Sequence, residues 1–124
     1  MARPPAVLVV EHDPALREVL ERVLHCAGFA PVTVPTGTEA LSALRLGVPA
    51  KVIVLDLEMP GVDGWAFRCE QRRDPKLSQI PVIIASPPHE RVPPGMAADA
   101  VLRKPIDLDQ LIACVRTLCE SFVA

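Results

Sequence analysis

A small set of side chains in this sequence has the types and positions to handle charged groups. Asp56 directly follows the apolar run Val52-Ile53-Val54-Leu55, and Glu58 stands two residues on, ahead of Met59-Pro60-Gly61 and Asp63-Gly64. Glu11 and His12 follow a second run, Val7-Leu8-Val9-Val10, while Ser86 and Lys104 close two further short segments. A buried strand needs no charge at its end, and α/β sheets open their ligand crevice there. The set combines carboxylates suited to a hard divalent ion with an ammonium and a hydroxyl suited to phosphoryl oxygens. Phosphoryl transfer to a carboxylate needs no general base, because the nucleophile is already an anion. It needs charge neutralisation and in-line positioning.

The elements that must position these residues are legible from periodicity. Four consecutive apolar residues, mostly β-branched, predict strands buried on both faces, as in a parallel sheet. Asp13-Pro14 is an N-cap followed by proline at the first helical position. Leu16, Val19, Leu20, Val23 and Leu24 then give one amphipathic stripe, with Glu18 and Arg22 placed to pair at i,i+4 and Gly28 ending the helix. Pro31 removes a ladder donor, so the strand 30–34 belongs at a sheet edge. Thr36 and Glu39 open a helix running to about Leu46, with Leu41 and Leu44 inward. Gly64 to Arg73 reads as a helix with a weak stripe, and Trp65 is expected to anchor it. Ile80 to Ala85 reads as the fourth strand and Val101-Leu102 as a short fifth. Asp107 to Gln110 opens a last helix whose stripe runs from Leu108 to Phe122.

Alternating strands and helices imply right-handed βαβ units around a parallel sheet. With the second strand at an edge, the pattern predicts a flavodoxin-like (βα)5 doubly wound sheet in the order 2-1-3-4-5. The ends of the first, third, fourth and fifth strands would then bring Glu11, His12, Asp56, Ser86 and Lys104 together. Residues 1–124 read as one domain. A net charge of −2 with no basic run gives no case for nucleic acid or an anionic membrane. No apolar run approaches the roughly 18 residues that span a bilayer. The N-terminus shows no signal-peptide anatomy, and a cytoplasmic location is expected. Cys26, Cys69, Cys114 and Cys119 have no metal or redox spacing and read as buried or half-buried thiols in a reducing compartment.

The stretch Val52 to Gly64 resembles the phospho-acceptor segment of response-regulator receiver domains, the CheY-like superfamily of two-component systems. The resemblance covers nearly the whole chain. It implies that Asp56 is the phospho-acceptor, taking its phosphoryl group from a histidine kinase or phosphotransfer protein of a phosphorelay. It further implies that Glu11, Asp56 and the backbone carbonyl of Glu58 hold magnesium (Mg2+). Ser86 would be the switch hydroxyl, and Lys104 the lysine before a cis-proline, here Pro105. The first helix and the crevice loops would meet the kinase. Output would pass to a downstream protein target, the chain itself not being an enzyme.

The chain departs from the family pattern in three places. The second residue of the usual acid pair is His12, which leaves the metal site one carboxylate short. Imidazole suits Mn2+ better than Mg2+, and His12 is read as a neutral crevice residue rather than a ligand. Pro87-Pro88 and Pro93-Pro94 forbid a regular fourth helix, so a loop or a short helical turn is expected there. Val101 takes the switch-aromatic position, where relatives carry a ring. These departures leave a second reading open, a degenerate receiver that binds partners without phosphorylation. A hydrolase of the haloacid-dehalogenase kind would want an Asp where Glu58 stands, and a flavodoxin would want a Ser/Thr/Gly-rich phosphate cradle in the first loop. Neither is present.

Overall fold

The computed structural model describes residues 3–59, 63–89, 91–92 and 95–121. The expected Pro60-Gly61 turn, the second proline pair and the end of the last stripe at Phe122 lie outside them.

Five strands, β1 (Ala6–Val10), β2 (Ala30–Val34), β3 (Ala50–Asp56), β4 (Val82–Ser86) and β5 (Ala100–Arg103), form one parallel sheet in the order β2-β1-β3-β4-β5. The helices are α1 (Pro14–Cys26), α2 (Gly37–Arg45), α3 (Asp63–Arg73) and α4 (Leu108–Ser121). Side chains alternate across a strand, so each buried run divides between two cores. Val7, Val9, Val52, Val54 and Ile83 pack with Leu20 and Leu24 of α1 and with Leu111 and Val115 of α4. Leu8, Val10, Ile53, Leu55 and Ile84 pack on the other face with Ala40 and Leu44 of α2 and Phe67 of α3. Apolar residues on both faces follow directly from that division.

Local signals set most of the boundaries. The Asp13 side chain accepts from the Ala15 and Leu16 amides at 2.9 and 3.5 Å, and Thr36 accepts from the Glu39 amide at 3.2 Å. Glu18 and Arg22 pair at 3.0 Å. Gly28 has a φ of +96°, which an L side chain rarely adopts, and its amide donates to the His25 carbonyl. β2, with Pro31, lies at an edge.

Helix α3 departs from expectation. Trp65 is 43% exposed, and Phe67 is the ring that anchors the helix. Arg68 and Gln71, polar where an apolar stripe would be expected, are buried at 5% and 0% exposure. The reason lies in the connection from β4 to β5. Its described residues, 87–89, 91–92 and 95–99, contain turns but no helix, and among the described residues the fourth helix is the C-terminal one. Met96 plugs the core in place of a helix. Arg68 binds the connection down, its Nε donating to the Met96 carbonyl and Nη2 to the Ala97 carbonyl, both at 2.7 Å. Ala97 sits at φ +50°, a conformation uncommon for alanine and held here by that contact. Gln71 accepts from Arg68 at 2.6 Å and donates to the Leu77 and Ile80 carbonyls. Of the cysteines, Cys26 is exposed rather than buried, and the other three are half-buried.

Arg68→Ala leaves two carbonyls and the Gln71 amide oxygen without their donor. The expected cost is about 3 kcal/mol in urea denaturation, with faster amide exchange confined to the β4–β5 connection. A loss within about 0.5 kcal/mol, as for an ordinary surface site, would show that the arginine does not hold the connection.

Candidate functional site

The carboxyl ends of β1 and β3 and the residue after β5 place Glu11, Asp56 and Lys104 in one crevice. Glu11 and Asp56 are each only 1% exposed. Lys104 lies among three carboxylates: Nζ is 2.9 Å from Asp56 Oδ1, 2.9 Å from Glu58 Oε2 and 3.3 Å from Glu11 Oε1. The Glu58 amide donates to Asp56 Oδ1 at 2.7 Å, and the Asp13 amide donates to Glu11 Oε2 at 3.0 Å. Arg17 Nη1 donates to the Glu11 carbonyl at 3.0 Å and fixes the end of β1 from the first helix. The Lys104–Pro105 peptide is cis, as expected.

His12, 40% exposed through its side chain, reaches into the crevice, its Nδ1 donating to Asp56 Oδ2 at 2.9 Å and lying 3.6 Å from Glu11 Oε2. It is therefore a partner of the Asp56 carboxylate. Beside this cluster is an open cleft of about 550 Å³ lined by His12, Asp13, Pro14, Glu58 and Lys104.

The two buried carboxylates are driven apart electrically. Burial and the facing Asp56 carboxylate raise the Glu11 pKa, against the Asp13 amide and Lys104. Burial would also raise Asp56, but Lys104, Glu11, the Glu58 amide and His12 outweigh it and hold its pKa below the ordinary value. Burial would lower Lys104, yet hydrogen bonds to Asp56 and Glu58 and the charges of Asp56 and Glu11 push its pKa well above the usual lysine value. The outcome is an ionised Asp56 beside a permanent cation, which is the protonation state an attacking carboxylate needs.

Glu11, His12 and Asp56 offer ligand atoms that all lie within 4.8 Å of one another. Two carboxylates fit a hard cation, and the third position carries imidazole in place of oxygen. The set fits, with one anionic donor fewer than an all-carboxylate site.

Ser86 is fully buried and lies one residue beyond Ala85, the ladder neighbour of Asp56. Its Oγ accepts from Arg103 Nη1 at 2.6 Å, and its own proton faces the Pro87 carbonyl at 3.4 Å. Val101 lies on β5 at 40% exposure. Sequence reasoning missed Arg103 and Arg17 as neighbours of the site. The first follows only from cross-strand register, Ser86 opposite Arg103, and the second only from the turn of α1 back over β1.

The raised pKa of Glu11 makes its ionisation a cost to the folded state. That cost is absent below its ordinary value of 4.5, grows as pH rises from there towards the raised folded pKa, and is fully present above it. Glu11→Gln keeps the acceptor for the Asp13 amide and removes the charge. The variant is expected to be more stable than wild type at pH 7, with the gain shrinking as pH falls towards 4.5, measured by urea denaturation. A variant less stable at pH 7 contradicts this sign. Asp56, with a lowered pKa, contributes stability above its ordinary value of 3.8 and loses it only as pH falls further, so the two windows separate.

Comparison with known proteins gives the same picture. Over 123 residues the chain is 33% identical to response regulator Rre1 of Synechocystis, covering 95% of this chain and 53% of that protein. It is 37% identical over 122 residues to the DNA-binding transcriptional regulator NtrC of Escherichia coli, covering 94% of this chain and 25% of that protein. The chain thus spans about half of the first of these relatives and a quarter of the second. Among solved structures, the signal receiver domain of a histidine kinase from Syntrophus aciditrophicus superposes with a TM-score of 0.82 at 28% identity, covering 97% of this chain and 98% of that one. Residues 7–116 match the response regulator receiver domain family. The sheet order, the buried Asp56 carboxylate with its lysine, and that match make this chain a member of the response regulator receiver domain family of two-component signalling.

Proposed function

We propose that this receiver is phosphorylated on Asp56 by a histidine kinase or phosphotransfer protein and signals through protein contacts. The observation that carries the reading is the 2.9 Å contact between Lys104 Nζ and an Asp56 carboxylate held in its ionised form. In the reaction an Asp56 oxygen attacks the phosphorus of the donor's phosphohistidine. The P–N bond breaks, and its electron pair stays on the donor imidazole. Oδ1 is committed to Lys104 and the Glu58 amide, so Oδ2 is the free nucleophile once His12 rotates into the cleft. Lys104 and the Ser86 hydroxyl would hold the transferred oxygens. A divalent ion bound by Glu11 and Asp56 would neutralise phosphoryl charge. In this role the chain is a substrate and relay, not a turnover enzyme, and a cytoplasmic site accords with a kinase donor.

A second reading is favoured by one observation. His12 occupies Asp56 Oδ2 with its imidazole, so a receiver that binds its partner unmodified would look the same at rest.

Intact mass after incubation with Mg2+ and acetyl phosphate separates the two. The expected result is a gain of one phosphoryl group that Asp56→Asn abolishes. No gain with either Mg2+ or Mn2+ would leave only the unmodified mode. His12→Asp restores an anionic oxygen donor, so calorimetric titration should show roughly tenfold tighter Mg2+ binding. Equal affinity would mean that His12 stands outside the cation's reach.

A further inference from the structure

Trp65, Arg68, Cys69, Arg72 and Arg73 follow one another at i, i+3, i+4, i+7 and i+8 along α3, so they share one face of the helix. With Gly95 from the β4–β5 connection they line an open cleft of about 480 Å³. Three of these residues are arginines and none is an acid, on a chain whose net charge is −2. The charges are held in place but not neutralised. Arg68 gives Nε, Nη1 and Nη2 to two carbonyls and the Gln71 amide oxygen, all neutral acceptors. Arg72 Nη1 donates to the Gly95 carbonyl at 2.6 Å, again a neutral group. Among the described residues no carboxylate pairs with either guanidinium, and Arg73 reaches Glu70 at 3.5 Å. Burial and the like charge of Arg72 depress the Arg68 pKa, and Asp99 offsets them only in part. An anion in the cleft would relieve that repulsion, and the planar guanidinium fork matches a carboxylate.

Trp65 supplies the apolar half of the cleft. It is the chain's one tryptophan and stands half-exposed. Its ring passes close over Gly95, where an added Cβ would lie 3.4 Å from Cη2, and the φ of +91° there also favours glycine. One glycine thus sets the ring and the Arg72 guanidinium side by side before any partner arrives, which lowers the ordering cost of binding. Trp and Arg are the side chains that most often carry the binding energy of protein interfaces.

Resting on the reading above only in that output passes through protein contact, we propose that this cleft docks an acidic segment of a partner protein. One apolar side chain of that segment packs on Trp65, and the carboxylates beside it pair with Arg72 and Arg73. Arg68 contributes its charge from the buried side and keeps its own hydrogen bonds. The Asp56 crevice takes no part in the contact.

Trp65 fluorescence reads the cleft directly. The unmodified full chain is titrated with a panel of capped synthetic peptides, each carrying one leucine or phenylalanine flanked by aspartates and glutamates. The same peptides with every acid replaced by its amide are titrated in parallel, as are guanosine monophosphate and inorganic phosphate. At least one acidic peptide is expected to give a saturable change that weakens as salt is raised, and its amide counterpart none. Arg72→Gln, at an exposed position, is expected to weaken that binding roughly tenfold, and Arg72→Lys to recover only part of it, because an ammonium lacks the fork. Arg73→Gln leaves the Gly95 contact in place and is expected to weaken binding several-fold. No saturable change with any acidic peptide overturns the proposal, as does equal binding by the amide forms or by both glutamine variants. A response to the nucleotide or to phosphate with none to the peptides makes the cleft a small-anion site and overturns it too. Every titration uses unmodified protein, so failure here leaves phosphorylation of Asp56 standing, and failure of phosphorylation leaves this binding standing.

Discussion

The site depends on keeping Asp56 ionised while it is almost wholly out of water. A buried carboxylate alone would take up a proton, because burial disfavours the charged form. Lys104, placed after β5 and beside the end of β3, reverses that outcome, with the Glu58 amide and the His12 imidazole adding to it. The burial cost of such a pair offsets much of its attraction, so it is a poor stabiliser of the fold. What it secures is an Asp56 carboxylate in its anionic form at neutral pH. Glu11, facing the same cation, absorbs the repulsion and becomes the more easily protonated of the two acids.

His12 changes how that charge is balanced. An acid at this position would add to the negative field and demand a cation. The imidazole instead donates to Asp56 Oδ2 from a half-exposed position that can open into the cleft. One side chain thus both occupies an Asp56 oxygen and supplies imidazole as the third candidate ligand beside the two carboxylates.

The far side of the crevice is rebuilt in the same economical way. Where a helix would cover the sheet between β4 and β5, an irregular connection is pinned by Arg68 and plugged by Met96. That choice makes the inward face of α3 polar, exposes Val101 and leaves Arg103 against the buried Ser86 hydroxyl. The polar stripe on α3, the prolines of the connection and the missing ring on β5 are one structural decision seen at three places in the chain.

The sheet, its order and the buried position of Asp56 at a strand end were legible in the letters alone. Buried parallel strands announce themselves as unbroken apolar runs, Pro31 marks an edge, and a charge at the end of such a run has no structural reason to be there. Asp13, Thr36 and Asp107 cap their helices through contacts within a few residues, and local chemistry of that kind is written in adjacent letters. Only the tertiary structure decided the partners. Arg68 looked like a weak helix stripe because its acceptors lie 28 and 29 residues further along, and Trp65 looked like an anchor because exposure is not encoded in residue type. His12 on Asp56 and Arg103 on Ser86 depend on the register between strands distant in sequence, and register is fixed by the packing of two whole cores, not by any single segment.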